Sequence, residues 1–146
     1  MGPGLAPEPR GNAEKGTRVG SYTHKNLTQL EDSAPGLGIG EWQETRFATA
    51  ELGAERIGFT HHRIKPSTRQ GFAHRHEREE EVYVVLAGSG RVKLDDDIVD
   101  VEPRDALRIP PQVLRSWEAG PDGLELLVFG PRDEGDAEFV QGWWRD

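Results

Sequence analysis

The chain of 146 residues has no cysteine, so disulfides and thiolate metal sites are excluded. It is short of positive charge: 18 Lys and Arg stand against 26 Asp and Glu, for a net charge of -8. That balance argues against a phosphate-backbone partner, and no nucleic-acid binding is expected. No apolar run approaches the ~18 residues that span a bilayer, so no membrane partner is expected. The opening Met1 to Arg10 lacks the apolar segment of a secretory signal, which leaves a cytoplasmic protein as the expectation. Long helical periodicity is missing too, and a chain of this length has room for one domain.

Residues 1–20 are rich in Gly, Pro and charge, too polar to offset the entropy of ordering, and read as a disordered tail. The domain is expected over residues 21–146, with its core at 45–130 and a C-terminal extension at 131–146. Within the core the signals are β. Arg56 to Lys65 reads as a strand stopped by Pro66. Val82 to Leu86 is apolar at every position, as in a strand covered on both faces. Arg91 to Leu94, Ile98 to Val101, Asp105 to Ile109, Leu114 to Glu118 and Leu124 to Phe129 follow. The segments Ala87 to Gly90, Asp95 to Asp97 and Gly120 to Gly123 between them read as hairpin turns. Short connections favour antiparallel pairing, so an all-β antiparallel barrel or sandwich is expected.

The stretch that could carry chemistry is Phe72 to Tyr83. His74 and His76 are two apart and share one face of a strand. A turn over Glu77 to Glu80 would let Glu81 re-enter on the same wall. Two imidazoles and one carboxylate with open positions suit Zn, Ni, Fe or Mn as divalent ions. Without such an ion, the same residues would be an ordinary solvated charge patch.

His74-x-His76-x4-Glu81-x6-Gly88, followed by strands around Asp105 to Gln112 and by Trp117 to Gly123, resembles the two motifs of the cupin superfamily, in particular its small single-domain conserved-barrel type. The resemblance covers about residues 56–130. It implies a small jelly-roll barrel in which His74, His76 and Glu81 hold a divalent metal and a second-motif histidine completes the set. Several positions depart from the pattern. Thr68 and Arg104 stand where the motifs open on glycine, and Gln112 and Ala119 replace a further glycine and a closing asparagine. Arg115 stands at the fourth ligand position.

Arginine stays protonated and has no lone pair for a metal. Strand period two groups Val113, Arg115 and Trp117 on one face, the more apolar one, so Arg115 is expected inward with Glu81 as its partner. Such a cavity would bind a small polar or anionic ligand, gripped by Arg115, with the metal site degenerate. The alternative is a metal-dependent enzyme of isomerase, dioxygenase or decarboxylase type on the three-ligand His74/His76/Glu81 site. His61 and His62 face opposite sides of a strand, and one of them should look inward; His62, Tyr83 and Trp117 join Arg115 as candidate ligand contacts. Trp143 and Trp144 suggest either a tail docked on the barrel or a homodimer contact.

Overall fold

The computed structural model describes residues 17–19, 21–131 and 135–146. Its strands are β1 (Thr17–Val19), β2 (Tyr22–His24), β3 (Gln43–Phe47), β4 (Ile57–Ile64), β5 (Phe72–His76), β6 (Glu81–Leu94), β7 (Asp97–Val101), β8 (Ala106–Ile109), β9 (Arg115–Pro131) and β10 (Ala137–Gln141). A single helical turn, α1 (Thr49–Leu52), and two 3-10 turns at Leu27–Gln29 and Pro35–Leu37 are the helical elements among the described residues. No helix among them is long and apolar enough to cross a membrane. Most of the stretch expected as a disordered tail lies outside the described residues. Its end does not: Thr17–Val19 pairs antiparallel with Tyr22–His24.

The expected antiparallel barrel is observed. β1 and β2 form a separate ribbon, and all the remaining strands join one eight-stranded sheet. Two strands are long enough to serve twice. The first half of β6 pairs with β8 and the second half with β7, while β9 pairs along nearly its whole length with β6. On its other edge β9 pairs first with β5, at His74 opposite Arg115, and then with β4. The sheet thus runs as two rows, β3-β4-β9-β6-β8 and β10-β5-β9-β6-β7, which share the long strands and curl over one core.

Alternation decides which residues fill that core. Tyr83 and Val85 of β6 are buried, as are Leu124, Leu126 and Val128 of β9, with Ile64, Val92, Val101, Ile109 and Trp117 packed among them. The all-apolar run Val82 to Leu86 is not covered on both faces: Val82 and Val84 are half-buried and Leu86 is exposed.

Of the expected hairpin turns, only Asp95 to Asp97 is one, between β6 and β7. The glycine segments at 87–90 and 120–123 lie inside β6 and β9. They face each other as register shifts, with Gly88 opposite Leu124 and Gly90 opposite Ala119. Here glycine bends two paired strands at a barrel corner rather than reversing either one. The sheet also continues past residue 130. β10 pairs with β5 in register, Ala137 opposite His76 and Phe139 opposite His74. The chain end then folds back: Trp144 is buried beneath the Arg69 and Arg91 guanidinium groups, at 4.2 and 5.3 Å from its ring centroid.

Candidate metal centre and its cavity

Strand alternation points His74 and His76 to the same side of β5, and the loop 77–80 returns Glu81 to them as the first residue of β6. His74 Nε2 lies 3.6 Å from Glu81 Oε1, and His76 Nε2 lies 3.4 Å from Glu81 Oε2. Donor atoms from the three residues all fall within 4.8 Å of one another. Donors shared by one ion at ~2.0–2.2 Å sit roughly 3–3.5 Å apart, so little adjustment would close the shell.

One nitrogen is specially prepared. His76 Nδ1 is 2.7 Å from Asp136 Oδ1, and Asp136 Oδ2 accepts the backbone N–H groups of Arg78 and Glu79. Burial opposes ionisation of Asp136, but those hydrogen bonds and His76 outweigh it and hold its pKa below the ordinary range. An ionised carboxylate only accepts, so Nδ1 carries the proton and Nε2 turns its lone pair toward Glu81. That Nε2 is buried and makes no hydrogen bond. A buried nitrogen with no partner, beside a second imidazole and a carboxylate, fits a divalent ion. His76, Glu79 and Asp136 also cluster closely enough to ligate, yet the Asp136 oxygens are already spent on His76 and the loop backbone.

Glu81 accepts from the Tyr83 hydroxyl at 2.8 Å and lies 3.5 Å from Arg115 Nη2. Burial disfavours its charged form, but the adjacent His74 and His76 imidazoles and the Tyr83 hydroxyl outweigh it and drive its pKa far down. The His74 pKa is lowered by burial, against the pull of Glu81. Burial also opposes the charged form of His76, but Glu81 and Asp136 outweigh it and raise its pKa. Burial pushes the Tyr83 hydroxyl well up, so it stays a donor.

Above this floor is a cavity of about 190 Å³. Of the expected ligand contacts, His62, Tyr83 and Trp117 line it, together with His74, His76 and Glu81. Between the two neighbouring histidines, His62 is the inward one. His61 faces the other side of the sheet and pairs with Glu125 at 2.7 Å. Arg115 departs from its expected role. It is inward and fully buried, but it does not line the cavity. Its Nη1 donates to the carbonyl oxygens of Val113, Pro111 and His74, which draws the guanidinium behind Glu81. The charge therefore acts on Glu81 and not directly on a ligand. Asp136, through His76, and Gln43, Thr45 and Gln70, in the cavity lining, join the candidate site, and the sequence did not disclose them. Asp136 looks like an ordinary turn residue, and the other three sit in polar stretches with no spacing that marks them.

An antiparallel barrel with two histidines and a glutamate converging on its floor defines a class, and the comparisons agree with it. The family model of the cupin domain, Cupin_2, matches residues 60–129. That match covers just under half of the chain and spans the strands that carry His74, His76 and Glu81. The chain's fold is similar to a cupin protein from Bacteroides fragilis, at 20% identity and TM-score 0.62, covering 79% of this chain and 90% of that one. It is also similar to the polyketide cyclase RemF from Streptomyces resistomycificus, at 21% identity and TM-score 0.66, covering 85% and 87%. Oxalate decarboxylase from Bacillus subtilis matches at 22% identity and TM-score 0.67 over 88% of this chain, which spans 34% of that longer one. No curated protein matches by sequence.

Proposed function

We propose that this cupin holds a divalent metal ion on His74, His76 and Glu81 and binds a small ligand in the cavity above them. The observation that carries the reading is the buried, unpartnered Nε2 of His76, whose other nitrogen is committed to Asp136. Three protein donors would leave room in the shell of such an ion for a ligand atom, and the cavity lies beside them. Lewis acidity toward a ligand oxygen is the chemistry such an ion supplies. The protein's own part is to fix the donors. Asp136 sets the His76 tautomer, and Tyr83 and Arg115 orient the Glu81 carboxylate. Known folds of this kind serve cyclases and decarboxylases alike, so the reaction class follows the cavity and not the barrel.

A second reading, a metal-free module binding a polar or anionic ligand, draws on Arg115 lying 3.5 Å from Glu81, where a fixed positive charge would oppose a cation. Titration of chelator-treated protein with Zn(II) decides between them. One equivalent bound by wild type, with affinity falling at least about 100-fold in His74→Ala and in His76→Ala, is the expected result. Wild type that takes up no Zn(II), or variants that bind it as well, would leave the metal-free module as the reading.

A further inference from the structure

Gln70, Gln43, Thr45 and His62 on the cavity wall form one chain of hydrogen bonds whose direction is set from its buried end. The backbone N–H of Trp117 can only donate, and it meets Gln70 Oε1 at 3.0 Å. Gln70 must then turn its Nε2 outward, where it donates to Gln43 Oε1 at 2.7 Å. Gln43 in turn has only its Nε2 left, which reaches Thr45 Oγ1 at 2.8 Å and His62 Nδ1 at 3.1 Å. Thr45 Oγ1 lies 3.1 Å from the same Nδ1; with an amide N–H and a hydroxyl both facing it, Nδ1 is assigned as the acceptor and the ring proton to Nε2. Gln43, Thr45 and Gln70 are all buried, and their side chains are held by one another. Among the described residues nothing hydrogen-bonds His62 Nε2, and the ring lines the cavity.

The rest of the wall is of another kind. Ile39, Phe72, Trp117, Leu126, Val128 and Phe139 supply most of it, and among the described residues no Lys or Arg lines it. Gln43, Thr45 and Gln70 are spent on one another, with His62 as their outlet; Thr60 also lines the cavity, and the Trp117 Nε1–H is buried without a hydrogen bond. A cavity of about 190 Å³ is somewhat larger than the roughly 150 Å³ apolar site that takes a benzene ring. A lining so largely apolar disfavours a molecule that carries hydroxyl groups all round, whose polar groups would lose water without finding partners.

We propose that the cavity takes a compact, largely apolar ligand of about the size of a substituted aromatic ring, and that His62 Nε2–H reads one acceptor oxygen on it. The inference rests on the reading that this cavity is the ligand site, and it replaces the polar or anionic ligand expected from Arg115.

The test uses three probes on the full chain by calorimetry, after chelator treatment and again after Zn(II) loading. Acetophenone carries a carbonyl acceptor, α-methylstyrene has the same shape without one, and glucose 6-phosphate is polar throughout. In the metal-free protein acetophenone is expected to bind about tenfold more tightly than α-methylstyrene, the worth of one hydrogen bond to a buried donor. Both should bind more tightly than glucose 6-phosphate. His62→Phe keeps a ring and removes the donor, so it should still bind α-methylstyrene but lose the preference. Should that variant not fold, the imidazole nitrogen spectrum of wild type gives the answer: acetophenone should shift the His62 Nε2–H signal and α-methylstyrene should not. The proposal is overturned if glucose 6-phosphate binds best, if the two ring probes are bound alike, or if neither binds. The Zn(II) titration of the same samples keeps the two ideas apart. Metal uptake without probe binding sinks only this inference, and probe binding without metal uptake sinks only the metal centre.

Discussion

Asp136 is not among the proposed donors, yet it decides what His76 can offer. Replacing it with asparagine keeps the size and one acceptor. The amide oxygen would go to the backbone N–H groups of Arg78 and Glu79, and the NH2 group would then face His76 Nδ1. Nδ1 would become an acceptor and Nε2 would take the proton, so the lone pair aimed at Glu81 would be lost. Asp136→Asn is expected to weaken Zn(II) binding about 10–100-fold. The imidazole nitrogen spectrum should show the tautomer reversed before any metal is added, which a purely structural loss would not produce. Unchanged affinity with an unchanged tautomer would contradict this role. That His74 and His76 face one side was legible in the sequence, because two-residue spacing on a strand has one geometric meaning. Asp136 was not, since its contact with His76 depends on β10 pairing with β5 across 60 residues of chain. The direction of the Arg115 side chain was legible as inward. Its role was not, because three backbone carbonyls turn its guanidinium away from the cavity, and no side-chain pattern encodes them.

At the scale of elements, the corners of β6 and β9 hold the two rows of the sheet together. Gly88 and Gly123 both take the left-handed conformation, each with φ of +82°. A Cβ on Gly88 would meet the carbonyl oxygen of Gly123, which is backbone and cannot swing aside. Gly88→Ala therefore combines an unfavourable φ with a clash between paired strands. It is expected to cost at least about 2 kcal/mol of stability, read as a lower urea midpoint. Gly36→Ala, at a glycine whose Cβ would meet nothing, is the control and should leave the midpoint nearly unchanged. Equal midpoints for the two variants would refute the corner account. These glycines also explain where the sequence misled. Gly-Ser-Gly between apolar runs supports a hairpin and a bulge equally well, because both need the same dihedral freedom. Pairing with the opposite strand decides between them, and that pairing is long-range. Asp95 to Asp97, short and polar with Asp95 at φ of 52°, reverses the chain as its residues indicate.

Across the whole molecule, the buried imidazoles tie stability to pH. Burial, then the neighbouring His74, lowers the His62 pKa from 6.5 to about 4. The His74 pKa is lowered for the same leading reason. A histidine held neutral in the fold gives its full contribution above pH 6.5 and loses it as pH falls toward the folded value, because the unfolded chain takes the proton first. His76 works the other way. Its raised pKa contributes below pH 6.5 and is lost as pH rises, so acid does not remove it. The lowered carboxylates Glu81, Glu118, Glu125 and Asp136 are lost only below about 4.5, where the unfolded chain begins to protonate them. Chelator-treated protein should thus melt at steadily lower temperature from pH 6.5 to 4.5, and more steeply below. At about 1.4 kcal/mol per tenfold change in proton affinity, His62 supplies at most about 3 kcal/mol of this, reduced by whatever water enters the cavity. His62→Phe removes that titration and should flatten the upper part of the profile, leaving the carboxylate part below pH 4.5 in place. Melting curves of the two proteins at half-unit pH steps measure the difference. If the profiles run parallel from pH 6.5 to 4.5, His62 is not held neutral by the fold, and the donor that its Nε2–H presents to the cavity must be assigned again.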